Sequence, residues 1–205
     1  MDKYTEGLNG LRLAYELVGN EGPLVVLLHG FLEDRTIWDK SRLSRMQQRF
    51  LLIDLPGHGA SASEESISIE EMASSVRAVL DECSVEPALI AGHSMGGYVA
   101  LAYADQYNTP AVLLLHSTCA ADTEEKKHQR SQAAEYVLAE RRSFISGSIP
   151  NLFTSENREK HNEVIHSLID RAASISPGAI AASLIAMRDR PDRSSLLNKS
   201  AIRVI

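Results

Sequence analysis

The sequence predicts an α/β fold, with a mostly parallel sheet flanked by helices and an all-helical insertion. Two observations lead to this prediction. Short apolar runs without polar alternation recur in the first 119 residues, which is typical of strands buried on both faces. Helical segments separate these runs, and alternation of strands with helices indicates a parallel sheet.

The predicted elements follow one another at short intervals. Helices are expected over residues 68–83 and 95–107, where apolar residues recur at helical spacing. Ser68, with Glu71 three residues later, forms a capping box that marks the start of the first helix. The predicted strands are residues 11–18, 24–28, 50–53, 88–91 and 111–115.

The composition divides the chain into three segments. Residues 1–119 carry all of the strongly apolar runs and are predicted to form the core. Residues 120–195 are charged, helical in pattern and interrupted by Gly and Pro, so we expect three or four helices there. Residues 196–205 become strand-like again and are predicted to return to the core.

The charge balance argues against two kinds of partner. With 21 basic and 27 acidic residues the net charge is −6, and no long Lys/Arg run occurs. Neither nucleic acid nor an anionic membrane surface is therefore an expected partner. Hydrophobic residues make up 44% of the chain, which excludes a wholly disordered protein.

Other sequence signals bear on compartment and cofactors. Cys83 and Cys119 form no CxxC pair, so both are expected to be reduced thiols. The first residues lack the apolar stretch of a signal peptide, and no apolar run approaches about 20 residues. A cytoplasmic protein is therefore expected. No HExxH, P-loop or GxGxxG motif occurs, so no metal and no cofactor is predicted.

The strongest chemical signal is a G-x-S-x-G motif between a predicted strand and a predicted helix. Its serine is Ser94, flanked at two residues' distance by Gly92 and Gly96. This context is the one that a nucleophile elbow requires, because neighbouring backbone passes close to both glycines. Ser94 is the candidate nucleophile, at a helix N-terminus that favours developing negative charge. The alternative is a glycine-rich turn with an inert serine.

A second motif, His29-Gly30-Phe31, directly follows the most apolar strand. Its loop can place the backbone N–H of Phe31 opposite that of Met95. Two such donors would form an oxyanion hole for a tetrahedral intermediate. His29 is expected to be structural rather than a proton carrier. The alternative is an ordinary loop at the end of a strand.

The segment 54–61, DLPGHGAS, follows the next predicted strand. Its Pro-Gly pair and second Gly indicate a tight turn. Asp54 stands where a catalytic acid could lie. We nevertheless expect its carboxylate to accept hydrogen bonds from N–H groups of the loop.

Candidates to border a substrate pocket come from both parts of the chain. In the predicted core they are His29, Trp38 and His93. In the helical insertion, apolar side chains could line an acyl site or pack the insertion onto the core: Phe144, Ile145, Leu152, Phe153, Leu184 and Met187.

Taken in order and spacing, HGF at 29–31, DLPGHGAS at 54–61 and GHSMGG at 92–97 resemble the α/β-hydrolase superfamily, and most closely its capped, esterase-like serine members. The resemblance implies that the helical insertion is a cap. It implies an enzyme that hydrolyses a small carboxylic ester or thioester through an acyl-enzyme on Ser94, without a cofactor. The alternatives are a non-catalytic ligand-binding protein of this fold, or a C–C hydrolase, perhydrolase or lyase that uses the same serine.

The resemblance also implies a triad acid after the seventh strand and a triad histidine after the eighth. The sequence stops within the predicted seventh strand, so we expect both residues to be absent, and the chain to be a truncated and nearly inactive hydrolase. Within the chain, Asp122 is the weaker alternative for the acid, and His116 for the histidine. His116 is otherwise expected to be a partly buried structural residue.

Overall fold

A single mixed sheet organises the computed structural model, which describes residues 3–6, 10–107, 109–199 and 202–205. Its strands are β1 (Lys3–Glu6), β2 (Arg12–Val18), β3 (Leu24–Leu28), β4 (Arg49–Ile53), β5 (Leu89–His93), β6 (Ala111–Leu115) and β7 (Arg203–Val204). They lie in the order β1-β2-β4-β3-β5-β6-β7. β2 runs antiparallel to both of its neighbours, and the strands from β4 to β7 are parallel. The predicted α/β fold with a mostly parallel sheet is confirmed.

The helices of the core connect these strands. They are α1 (Lys40–Leu43), α2 (Ile69–Glu82) and α3 (Met95–Gln106). α2 begins at the predicted capping box, in which the Ser68 hydroxyl accepts the N–H of Glu71 and the Glu71 carboxylate accepts the N–H of Ser68. β1 was not predicted, because its sequence KYTE is polar and becomes a strand through pairing with β2.

Different helices pack on the two faces of the sheet. Val26 and Ile90 pair in register on one face, where α2 and α3 pack and both side chains are fully buried. Leu27 and its neighbours in register point to the opposite face, because side chains alternate along a strand. There Leu43 of α1 and Trp38 pack against them.

The segment between residues 120 and 195 contains five α-helices, where three or four were expected. They are α4 (Glu124–Ala139), α5 (Arg141–Ser148), α6 (Ser155–Lys160), α7 (Asn162–Ala172) and α8 (Pro177–Asp189). Breaks at Glu140 (φ −129°, ψ 50°) and His161 (φ −112°, ψ 25°) involve neither Gly nor Pro, so the sequence does not mark them. Pro177 does not interrupt a helix; it is the first residue of α8, a position that proline favours.

The two ends of this helical segment lie side by side. The N–H of Arg193 donates to the carbonyl oxygen of Cys119 over 2.8 Å. The N–H of Ala121 donates to the Asp192 carboxylate over 3.3 Å. The residues that lead into the helical segment and those that lead out of it are therefore hydrogen-bonded to each other, a few residues after the end of β6.

Within the described ranges, no single helix is both long enough and apolar enough to cross a bilayer. α7 and α8 meet these criteria only when taken together, and they are bent by 101° at their junction.

The core placement predicts the effect of truncating Leu51, which is fully buried on the face covered by α2 and α3. We expect Leu51→Ala to lower the free energy of unfolding by about 2–5 kcal/mol, because lost burial and a cavity add together. Denaturant unfolding followed by circular dichroism measures this. The control is Leu138→Ala in α4, where the side chain is 60% exposed and the expected change is within about 0.5 kcal/mol. Equal midpoints for the two variants would contradict this assignment of the core.

Candidate active site

Ser94 occupies the turn between β5 and α3 in a strained backbone conformation. Its φ is 49° and its ψ is −112°, a region that non-glycine residues rarely adopt. The N–H of Ser94 donates to the carbonyl oxygen of Leu115 in β6 over 2.9 Å. Its own carbonyl oxygen accepts from the Ser117 hydroxyl at 2.8 Å and from the N–H of Gly97 at 3.0 Å. Hydrogen bonds to both sides of the residue thus hold the strained turn.

Two glycines allow the backbone to pack closely around this turn. A Cβ atom on Gly92 would overlap the backbone of Gly96 and Gly97. A Cβ atom on Gly96 would lie 2.5 Å from the carbonyl oxygen of Leu28 and 2.6 Å from that of His29. The first turn of α3 therefore lies directly on β5 and on the end of β3.

The loop after β3 has a fixed peptide orientation. The N–H of Leu55 donates to Nε2 of His29 over 2.9 Å, so we assign the ring proton to Nδ1, which lies 2.8 Å from the carbonyl oxygen of Gly30. The N–H of Glu33 also donates to this carbonyl, over 3.3 Å. In a planar trans peptide the C=O and N–H groups point in opposite directions. The N–H of Phe31 is therefore directed away from both of these contacts.

A second backbone N–H group lies at the start of α3. Met95 is the first residue of that helix, and the first N–H groups of a helix have no acceptor within it. The helix dipole adds partial positive charge at this position. The amides of Phe31 and Met95 thus follow the carboxyl ends of β3 and β5, which are adjacent parallel strands.

A carboxylate and an imidazole pair next to Ser94. One oxygen of Glu33 accepts the N–H of Gly30 at 2.6 Å and lies 2.8 Å from Nδ1 of His93. The hydrogen bond from Glu33 raises the pKa of His93. Burial alone would raise the pKa of Glu33, but the hydrogen bond and charge of His93, together with the N–H of Gly30, hold that pKa below its ordinary value. These shifts favour a charged pair.

His116 lies at the same edge of the sheet, directly after β6. Its ring is edge-on to that of His93, with the centroids 6.3 Å apart. The residue is exposed and has a φ of 47°, so the expectation of a partly buried side chain is wrong. Leu32, after β3, also has a positive φ, of 63°. Together with Ser94, strained residues therefore follow three neighbouring strands, and such residues tend to cluster at functional sites.

The helical segment packs against these strand-end loops. The ring of Phe31 meets that of Phe144 in α5 edge to face, with centroids 6.3 Å apart. Arg171 in α7 donates to the Thr36 hydroxyl and lies 3.6 Å from the Asp34 carboxylate. The loop that carries the Phe31 amide is therefore in direct contact with the helices above it.

The comparisons with known proteins agree with this architecture. Residues 23–162, more than half of the chain, match the family model described as the alpha/beta hydrolase fold. The chain belongs to the α/β-hydrolase family. A thermophilic esterase from Thermogutta terrifontis is 28% identical, with a TM-score of 0.87, and the match covers 100% of this chain and 78% of that one. An esterase from Exiguobacterium antarcticum, 21% identical, has the same fold with a TM-score of 0.84, over 100% of this chain and 80% of that one.

Curated relatives of this α/β hydrolase match over shorter stretches. Protein phosphatase methylesterase 1 of Bos taurus is 35% identical over 103 residues, which are 46% of this chain and 27% of the relative. An sn-1-specific diacylglycerol lipase of Mus musculus is 32% identical over 104 residues, 48% of this chain and 34% of the relative. The matches span about a third or less of these relatives' lengths.

Asp54 has the structural contacts predicted for it. Its carboxylate accepts the N–H groups of Arg35 and Ala60, each over 2.8 Å, and pairs with the Arg35 guanidinium. The side chain is fully buried. Asp54 thus ties together the loops that follow β3 and β4.

Asp122, the alternative acid, belongs to a buried ion cluster at the base of the helical segment. One carboxylate oxygen accepts from Arg190 at 2.8 Å and the other from Arg130 at 2.5 Å. Burial would raise the pKa of Asp122, but the two arginines hold it below its ordinary value. The Arg190 guanidinium also lies 3.8 Å over the ring of Tyr98. Both carboxylate oxygens of Asp122 are thus bound by arginine side chains, and none of these contacts involves a histidine.

The pocket candidates fall into different environments. Trp38 packs with Leu27 and Phe50 on the sheet face that α1 covers, whereas Phe31 contacts α5 and packs against the main core cluster. In the helical segment, Ile145, Leu184 and Met187 are buried in the main core cluster, Phe144 and Phe153 are half-buried, and Leu152 is 64% exposed. The three buried residues have the packing role that was the alternative to lining a pocket.

Two residues that stabilise the site have no signal in the sequence. Glu33 lies 60 positions before His93, and Ser117 lies 23 positions after Ser94. Both contacts join separate strand ends, so no local motif signals them. The site also contains His58, which is 1% exposed, lies 3.1 Å through Nδ1 from the Pro56 carbonyl oxygen, and was recognised only as part of a turn.

The packing at Gly92 predicts that a methyl group there is not tolerated. We expect Gly92→Ala to abolish labelling of Ser94 by a fluorophosphonate probe and to destabilise the fold by more than about 2 kcal/mol, because the overlap is with backbone that cannot move aside. Probe labelling and denaturant unfolding measure the two effects. Gly147→Ala is the matched control, since a Cβ atom there meets nothing within 4 Å. Normal labelling of Gly92→Ala would contradict the close packing.

The buried histidines predict sensitivity to acid. Burial lowers the pKa of His58 to about 3, and burial also lowers that of His29. Between about pH 6.5 and pH 3 the unfolded chain therefore binds more protons than the folded one, and stability falls as the pH falls.

His58→Asn can keep the donor to Pro56 while removing the titrating ring. We expect it to reduce the loss of thermal stability between pH 7 and pH 5, measured as the change in Tm. His128→Asn, at an exposed histidine, is expected to leave that loss unchanged. An unchanged pH dependence in His58→Asn would contradict the role of this histidine.

Proposed function

We propose that this α/β hydrolase cleaves a small carboxylic ester or thioester through an acyl-enzyme on Ser94. The observation that carries the proposal is the position of Ser94. The residue stands at a strained strand-to-helix turn, half-buried, between two glycines that no larger residue could replace. Strain at a single non-glycine residue persists only where surrounding contacts enforce it, and it concentrates at reacting groups.

The proposed reaction has two stages. In the first, Ser94 Oγ attacks the carbonyl carbon, the carbon–oxygen or carbon–sulfur bond to the leaving group breaks, and the serine proton passes to that leaving group. In the second, water attacks the acyl-serine ester, releases the carboxylic acid and restores the hydroxyl. Each stage passes through a tetrahedral intermediate whose former carbonyl oxygen carries negative charge.

The backbone amides of Phe31 and Met95 are proposed to stabilise that oxygen. His29 and Glu33 fix the Gly30 carbonyl and thereby direct the Phe31 N–H away from it. Donors that are already oriented need no rearrangement when charge develops, which is why such sites contribute strongly to catalysis. α3 adds the positive end of its dipole.

The base that activates Ser94 is the part of the mechanism with alternatives. A serine hydroxyl is a weak nucleophile until a general base takes its proton. His29 and His58 have Nδ1 against backbone carbonyls, and Nδ1 of His93 is paired with Glu33. His116 is exposed beside His93, so it is the internal histidine that an experiment has to address.

We further propose that α4–α8 form a cap over the site. Their contacts with the loop after β3 support this, because ligands of open α/β sheets bind at the carboxyl ends of the strands. The half-buried Phe144 beside Phe31 would then limit the size of the acyl group. Similarity to two esterases and to a methylesterase supports an ester substrate.

A fluorophosphonate probe and ester turnover test the nucleophile. We expect the probe to label the chain at Ser94 and Ser94→Ala to abolish labelling. Any turnover of short p-nitrophenyl esters is expected to fall by a factor on the order of 10⁴–10⁶ in kcat for a complete catalytic site. Labelling that persists in Ser94→Ala would overturn the proposal.

Two companion measurements separate the alternatives. His116→Gln with unchanged turnover would exclude His116 as the base, whereas loss of turnover with normal folding would assign it. A panel of esters, thioesters and 1,3-diketones separates an esterase from a C–C hydrolase. Saturable binding without turnover of any of them would favour a ligand-binding protein.

A further inference from the structure

We propose that Glu33 is a positioning residue that sets the oxyanion-binding loop against the turn that bears Ser94. This inference rests on the proposed function, because it assigns Glu33 a role in the same reaction. Glu33 belongs to no motif of the sequence. It is singled out by where its side-chain and backbone atoms bind.

Glu33 forms hydrogen bonds with the peptide groups on both sides of Gly30. Its side-chain oxygen accepts the N–H of Gly30 at 2.6 Å, and its backbone N–H donates to the carbonyl oxygen of Gly30 at 3.3 Å. The peptide that contains this carbonyl also contains the N–H of Phe31. Since the peptide is planar, holding its oxygen also sets the direction of the Phe31 N–H.

The same carboxylate oxygen reaches the other half of the site. It lies 2.8 Å from Nδ1 of His93, the residue directly before Ser94. One atom therefore joins the loop after β3 to the turn after β5. This contact adds a side-chain link between the loop of Phe31 and the residue before Ser94, beyond the direct pairing of β3 with β5.

The space around this bridge is closed to larger side chains. A Cβ atom on Gly30 would lie 2.7 Å from the Glu33 oxygen and 2.8 Å from Nδ1 of His93. The side chain of Glu33 is 11% exposed and that of His93 is 29% exposed. Partial exclusion from water strengthens a charge-assisted hydrogen bond, and it makes an unpaired carboxylate costly.

The protonation states of the surroundings support a charged bridge. The groups facing Glu33 are the His93 ring and the neutral, buried His29, with Asp34 adjacent in the chain and the His116 ring beyond His93. The hydrogen bond raises the pKa of His93 and, against the effect of burial, the pKa of Glu33 is lowered. The pair is therefore charged between the ordinary pKa values of the two groups, and it loses charge as pH rises through the raised pKa of His93.

A carboxylate that only stabilises the fold and one that positions the oxyanion loop predict different kinetics. The oxyanion exists only in the tetrahedral state, so misplacing its donor lowers kcat and leaves KM nearly unchanged. A purely structural role changes stability without selectively lowering kcat in the folded fraction. Glu33→Gln retains one acceptor oxygen but loses the charge, and Glu33→Ala loses both.

The experiment compares the unsubstituted chain with Glu33→Gln, Glu33→Ala and the exposed control Glu21→Gln, all at a pH where each is folded. We expect kcat for a p-nitrophenyl ester to fall on the order of 10-fold in Glu33→Gln and 100-fold in Glu33→Ala, with KM changed less than about twofold. Glu21→Gln should match the unsubstituted chain.

An NMR titration of the His93 ring supplies a readout that does not depend on turnover. We expect the pKa of His93 to fall in Glu33→Gln, and the Gly30 amide to exchange faster with solvent. Full kcat in a folded Glu33→Ala, or an unchanged pKa of His93, would overturn the positioning role alone. Absence of Ser94-dependent labelling by a fluorophosphonate probe in the unsubstituted chain would instead overturn the proposed function, and with it any catalytic role of Glu33.

Discussion

The close approach of backbone around the turn between β5 and α3 is the constraint on which the rest of the site depends. Gly92 lets the first turn of α3 lie on β5, and Gly96 lets it lie on the end of β3. Only in that position does the helix begin directly after Ser94. In this arrangement Ser94 adopts an unfavourable φ. Such a backbone conformation destabilises the fold by about 1–3 kcal/mol, and the burial of α3 offsets this.

What could be predicted from the sequence is what depends on neighbours along the chain. The parallel strands, the capping box at Ser68 and the G-x-S-x-G turn each have a local pattern, and each stands where it was expected. The strand β1, the helix breaks at Glu140 and His161, and the Glu33–His93 pair have none. The strand β1 and the Glu33–His93 pair depend on contacts between distant segments, which a single sequence does not encode in any short pattern.

The site combines two kinds of histidine environment. His29 and His58 are fully enclosed, their rings are 5.2 Å apart, and burial keeps both neutral. His93 is partly open and forms a hydrogen bond with a carboxylate. Neutral rings serve as rigid hydrogen-bonding spacers, whereas the paired ring adds a charge close to Ser94. One residue type thus supplies both the rigidity and part of the electrostatic field of the site.

The junction at which the helical segment leaves and rejoins the core has a consequence for variation. Because the carbonyl of Cys119 and the N–H of Arg193 meet, the segment between them is topologically a long loop with its ends already closed. Lengthening a closed loop costs little, about 0.6 kcal/mol for each doubling. Helices can therefore be added, lost or exchanged beyond this junction without changing the order or register of the strands, so this segment can vary in length while the sheet is kept.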